Sequence, residues 1–264
     1  MTSSSRHPPS ARTTTHTCAP ARSRSLSILV AGLFLAGFVI VSVFDRSIHQ
    51  TLAWTLSSRR MHEHELWYRL LRNLGSLWTW LIVGIGLLVF DTIRLRTRPP
   101  TPHPHPQKHA PFWFNRGLFI IFSATAAGLL AEILKRLIGR ERPTRIINDE
   151  LVYQGYRFKG LLQGFVDSSN LGLPSSHAAT AAGGVFAICY LWPKAPPIGQ
   201  LGIWLIGLVA VLGCSLTRIL AGAHFASDVY AGMVIGWASA WLLSHLLPGE
   251  GLSELQTGAG DLVP

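Results

Sequence analysis

The chain has 264 residues, of which 48% are hydrophobic and only 14% charged, and it carries nine tryptophans. That balance belongs to a membrane protein, and the length fits one or two ordinary domains. The formal charge of +10 does not indicate nucleic acid, because the Lys and Arg residues cluster between apolar runs, where they meet anionic lipid or phosphate.

In chain order, residues 1–24 are rich in Ser, Thr and Arg, with no acid before Asp45. They read as a disordered cytoplasmic tail, with an organellar transit peptide as the alternative. A first apolar segment covers about Leu26 to Phe44; no secretory cleavage pattern follows it, so it reads as retained. The stretch "WTLSSRRMHEHELWYRLLRNLG" mixes aromatic and charged residues as a helix on the membrane surface would. A second segment, about Leu74 to Phe90, leads to "TRPPTPHPHPQKHAP" (97–111), which reads as a flexible loop more readily than as a metal site. Four more segments lie at about Gly117 to Leu134, Ala178 to Trp192, Leu201 to Leu216 and Val229 to Leu247. Most approach the roughly 20 residues that a crossing helix needs. The fourth is short and rich in Ala and Gly, so a buried helix and a tilted span both fit it.

The expected fold is therefore all-α: a polytopic bundle of six transmembrane helices over residues 25–248, followed by a tail, 249–264. Trp54, Trp67, Trp78, Trp80, Trp113 and Trp192 lie mostly near segment ends, where amphipathic rings favour the interface. Cys18, Cys189 and Cys214 show no paired spacing, which supports neither a disulfide framework nor a zinc site. Counting Lys and Arg does not choose an orientation. The basic, nearly acid-free tail and second loop place the N-terminus inside an inner or plasma membrane.

Three stretches carry chemistry. "LKRLIGRERP" holds Lys135 and, seven residues on, Arg142-Pro143; "LPSSHAATAAGG" places His177 behind Ser175 and Ser176; "LTRILAGAHFASDVYAG" holds Arg218, His224 and Asp228. Two crossings separate the loop after the third segment from the loop after the fifth, so both open on one face. Lys135, Arg142 and Arg218 can clamp phosphate oxygens; Arg136, Arg140 and Arg145 read as snorkelling anchors. His224 and Asp228, four apart, share a helix face, as a structural pair or as an imidazole oriented for attack. Ser175 and Ser176 can cap the fourth helix or bind phosphate at its N-terminus, and the two roles are compatible.

Together the stretches resemble the type 2 phosphatidic acid phosphatase (PAP2) superfamily, whose motifs are K-x6-R-P, P-S-G-H and S-R-x5-H-x3-D. Here they stand as Lys135-x6-Arg142-Pro143, Pro174-Ser175-Ser176-His177 and Thr217-Arg218-x5-His224-x3-Asp228. Ser176 replaces the usual glycine and Thr217 the usual serine, changes that bear on specificity more than on activity. The resemblance implies a membrane lipid phosphatase in which His224 is the nucleophile, forming a phosphohistidine, and Asp228 orients it. His177, an imidazole that titrates near neutrality, is the expected general acid.

No cofactor or metal is expected, because Glu132, Glu141, Asp149, Glu150 and Asp167 show no ligand spacing; Glu132 pairs more simply with Lys135 or Arg136. The expected partner is a phosphorylated lipid, with phosphatidate, phosphatidylglycerol phosphate, undecaprenyl diphosphate and a lipid A phosphate all open. Residues 151–170 either choose the headgroup or form a surface loop. The alternatives are a lipid phosphotransferase and a non-catalytic binder or transporter, the last weakened by the absence of an obvious internal repeat. Under the expected orientation the site faces away from the cytoplasm.

Overall fold

The computed structural model describes residues 21–97, 116–191 and 196–246. The expected tail up to residue 20, the Pro- and His-rich loop after Thr97, Cys18, Trp113, Trp192 and the C-terminal tail lie outside the described residues. The chain divides into two units, residues 1–36 and 37–264. In the first, Ile28, Leu29, Leu33 and Leu35 are exposed along the start of α1 (Ala21–Leu52), which begins four residues inside the predicted tail. All that follows concerns the second unit.

After α1 the helices are α2 (Leu56–His62), α3 (Leu66–Asn73), α4 (Leu77–Thr97), α5 (Arg116–Ile138), α6 (Ser176–Tyr190), α7 (Pro197–Leu220) and α8 (Ala226–Leu246). Five of them, α1, α4, α5, α7 and α8, are long and apolar enough to cross a membrane. Their outward faces carry large exposed apolar side chains such as Ile82, Ile85, Leu130, Leu205 and Val209, as a lipid-facing surface requires. Of the six expected spans, α6 is the one that falls short of this crossing length. Its 15 residues rise about 22 Å, short of the hydrocarbon thickness of roughly 30 Å.

The reason lies in its neighbours. Eleven of the α6 residues are buried, so the helix presents its surface to protein and has no lipid layer to match in length. Its composition allows this. A Cβ on Gly183 would stand 2.7 Å from the Ser123 carbonyl of α5, and one on Gly236 of α8 would stand 2.4 Å from the Ala179 carbonyl of α6. Small residues thus let three helices approach backbone to backbone. The core grows outward from there, with Phe119, Ile120, Phe186, Val211 and Trp80 in one buried cluster. Cys189 and Cys214 are free and buried, as inert core thiols.

The surface segment forms two short helices where one was expected. Trp54 packs on His62, Trp67 and Tyr68, and Tyr68 is fully buried, which anchors α3 beside the end of α7. Between α5 and α6 the sequence reading had only loop, but residues 144–153 form an antiparallel hairpin, β1 (Thr144–Ile147) and β2 (Glu150–Tyr153). Asn148 and Asp149 both adopt positive φ, 48° and 61°, the conformation that a two-residue hairpin turn needs. Beyond it the chain folds back under α5, with Lys159 N donating to the Gly139 carbonyl at 2.8 Å and Leu162 N to the Leu137 carbonyl at 2.9 Å.

Candidate active site

Four chain segments meet where α6 begins. Ser175 caps that helix, its hydroxyl accepting from Ala178 N at 3.4 Å, and its own N–H donates to the Asp228 carbonyl at 2.9 Å. The start of α6 is thereby tied to the start of α8. Lys135, buried in the last turn of α5, donates to Ser176 Oγ at 3.0 Å and pairs with Glu132 at 2.7 Å. The two loops expected to share a face do so. Thr144 Oγ1, after α5, donates to the Gly222 carbonyl, after α7, at 2.6 Å.

His224 lies in the short turn between α7 and α8 and is 2% exposed. Its Nδ1 stands 3.6 Å from Asp228 Oδ2, just beyond a hydrogen bond, and has no other partner. Asp228, fully buried in the first turn of α8, accepts from Phe225 N at 2.9 Å. Burial pushes the His224 imidazole well below its ordinary value, and Arg218, Arg142 and Lys135 push it the same way. The ring is therefore neutral near pH 7.

Arg142 is fixed by its Nε donating to the Leu171 carbonyl at 3.2 Å, while Arg218, in the last turn of α7, keeps a buried Nε with no partner. His177 is half-buried against Gly75, where a Cβ would fall 2.7 Å from its Cδ2. Arg218, Lys135, Arg72 and His224 are its titratable neighbours. Beside it opens a cleft of about 240 Å³, lined by Leu77, Ala124, Gly128 and Leu129 with Glu132 and Ser176 at its polar end. Among the described residues no three His, Cys, Asp or Glu side chains group as metal ligands.

The family model for the PAP2 superfamily matches residues 116–251, just over half of the chain. The chain belongs to the PAP2 superfamily. Among its curated PAP2-type relatives is a lipid A 1-phosphatase of Rhizobium johnstonii, 32% identical over 129 residues, which cover 47% of this chain and 44% of the relative. A lipid A 4'-phosphatase of Bacteroides thetaiotaomicron is 31% identical over 144 residues, 47% of this chain and 56% of that protein. An undecaprenyl-diphosphatase of Sulfolobus acidocaldarius is 23% identical over 124 residues, 47% and 52% of the two chains. The chain thus spans about half the length of the curated relatives it matches. No solved structure matches it significantly.

Two residues at this PAP2 site escaped the sequence reading. Arg140, expected as a surface anchor, is 3% exposed and lies between Asp45 and Asp228, whereas Arg136 and Arg145 are exposed as anchors should be. Asp45 of α1 is fully buried beneath the site. Its one sequence signal was an acid within an apolar helix, which marks a paired or functional group. In the 151–170 loop, Tyr156 donates to Asp45 at 3.0 Å, and Lys159 is held by Asp167 and Ser169.

Proposed function

We propose that this PAP2 protein is a membrane lipid phosphatase that works through a phosphohistidine and needs no metal. The observation that carries the reading is the buried His224, with Nδ1 turned to Asp228 among Lys135, Arg142 and Arg218. A neutral ring that keeps its proton on Nδ1, on the side of the Asp228 carboxylate, presents a free Nε2 lone pair. That lone pair attacks phosphorus, forming an N–P bond as the ester or anhydride P–O bond breaks. Burial and the surrounding cations disfavour a proton on His177 in the empty site; the negative charges of the bound phosphate offset them, and the leaving oxygen takes the proton that His177 then carries. Water then attacks the phosphohistidine, gives a proton to His177, and releases inorganic phosphate and a free His224. Lys135, Arg142 and Arg218 hold the charge that spreads over the phosphoryl oxygens, with Ser176 adding its N–H at the start of α6; the buried Ser175, expected to do the same, gives its N–H to the Asp228 carbonyl instead and serves as the cap.

The cleft beside His177 supports a lipid as the group that leaves, because its lining includes both Ser176 and His177 and the exposed apolar side chains of Leu77 and Leu129. The printed names of the relatives make a lipid A phosphate the first substrate to try, followed by undecaprenyl diphosphate, phosphatidate and phosphatidylglycerol phosphate. Purified protein in detergent is expected to release phosphate from at least one of these. The His224→Ala variant should lose at least about 1,000-fold, as expected when a covalent nucleophile is removed, and EDTA should leave the wild-type rate intact. No release from any lipid, or full loss on chelation with recovery by magnesium, would refute the reading. The site is proposed to face away from the cytoplasm, in the orientation with the N-terminus inside.

A further inference from the structure

The motif residues do not hold Asp228 by themselves. Its Oδ1 lies 3.3 Å from Nη1 of Arg140, and both side chains are almost wholly buried. The same Nη1 donates to Ser227 Oγ at 2.8 Å, and Nη2 donates to Asp45 Oδ2 at 3.1 Å. Asp45 in turn accepts from Ser227 N at 2.8 Å, from Ser227 Oγ, and from Tyr156 Oη at 3.0 Å. The guanidinium is sandwiched, with its carbon 4.6 Å from the Tyr156 ring centre and 4.4 Å from that of Phe225. Burial and the Asp45 charge raise the Tyr156 phenol to about 12, so it stays a donor.

One planar cation therefore bridges two buried carboxylates, with an aromatic ring against it on two sides and only its Nε left without a hydrogen-bond partner among its nitrogens. Such burial is costly for a residue that serves only as a membrane anchor. Removing either partner would leave a buried charge without its counterion, and the carboxylate nearest the imidazole would be free to turn away from it. We propose that Arg140 is a positioning residue for His224: held by Asp45, it fixes the carboxylate of Asp228 toward Nδ1 of the imidazole. The inference rests on the phosphatase reading above. The side-chain partners of Arg140 are Asp45, Ser227 and Asp228, none of which belongs to the proposed phosphate clamp.

The roles of binding and orientation separate in kinetics. Lys135, Arg142 and Arg218 remain in an Arg140→Gln protein, so substrate binding is preserved while attack slows. Steady-state rates on the lipid that the wild type hydrolyses should show kcat lowered about 10- to 100-fold, the range seen when the partner behind a functional histidine is removed. KM and the inhibition constant of inorganic phosphate should be unchanged. Arg140→Lys keeps the charge but loses the fork, and should recover only part of the loss. Asp45→Asn preserves shape and serves as a second test if Arg140→Gln does not fold; its kcat should fall in the same way.

Wild-type kcat in Arg140→Gln or Asp45→Asn would overturn the inference, as would a rise in KM and phosphate inhibition constant that accounts for the whole loss. These outcomes leave the phosphatase reading standing if His224→Ala is inactive beside an active wild type. A wild type that releases no phosphate from any lipid would overturn both.

Discussion

His224 owes its properties to where it sits. Burial and three cations keep its imidazole neutral in the folded protein, whereas the unfolded chain takes up that proton near the ordinary value of about 6.5. Between the lowered folded value and about 6.5, the unfolded state binds more protons, so stability rises with pH. The melting temperature in detergent should therefore fall as pH drops from about 7 toward 5. A His224→Asn protein, which has no proton to exclude, should show a shallower fall; an equally steep one would remove His224 as the cause. That His177, His224 and Asp228 belong together was legible in the sequence chiefly through the resemblance of the three motifs, helped by ionisable groups standing out at the ends of apolar segments. Arg140 was not legible, since its partners lie 95 residues before and 88 residues after it and nothing local distinguishes it from Arg136.

Among the elements, α6 decides the architecture, and its glycines can be tested singly. A Cβ on Gly236 would meet the Ala179 carbonyl at 2.4 Å, a backbone atom that cannot swing aside. Gly236→Val should cost at least about 1–3 kcal/mol, the usual penalty of overpacking, and lower activity with it. Gly86 of α4 has nothing within 4 Å of the added atom, so Gly86→Ala should be neutral or stabilise by up to about 1 kcal/mol, as helix propensity favours Ala. Thermal unfolding of both variants checks the contrast. The small-residue composition of α6 foretold close packing, but its length was misleading. A helix shielded by α5, α7 and α8 escapes the rule that lipid imposes on its neighbours. The hairpin turn was missed because Asn148-Asp149 lacks the glycine that usually announces it.

For the molecule as a whole, the proposed orientation is open to a direct check. Val166 is 86% exposed in the loop that closes over the end of α5, and Cys189 and Cys214 are buried. With Cys18 replaced by Ser, a Val166→Cys protein in sealed right-side-out vesicles should react with a membrane-impermeant maleimide. Labelling only in inverted vesicles would reverse the assignment. The meeting of the loops after α5 and α7 was readable from counting segments, a count in which α6 is a crossing despite its short length. The share taken by α1 was not readable, because the three motif stretches all lie beyond residue 134.

That share has a consequence in time. Asp45 emerges during synthesis 95 residues before Arg140 and 182 before Ser227, so for most of translation its carboxylate travels without the groups that later surround it. His224 and Asp228 are made within a few residues of Ser227, and they reach the geometry described above only when α8 seats against α1. Until then the nascent chain carries His224 and Asp228 without the packing that aims one at the other, and the activity proposed above waits on the seating of α8.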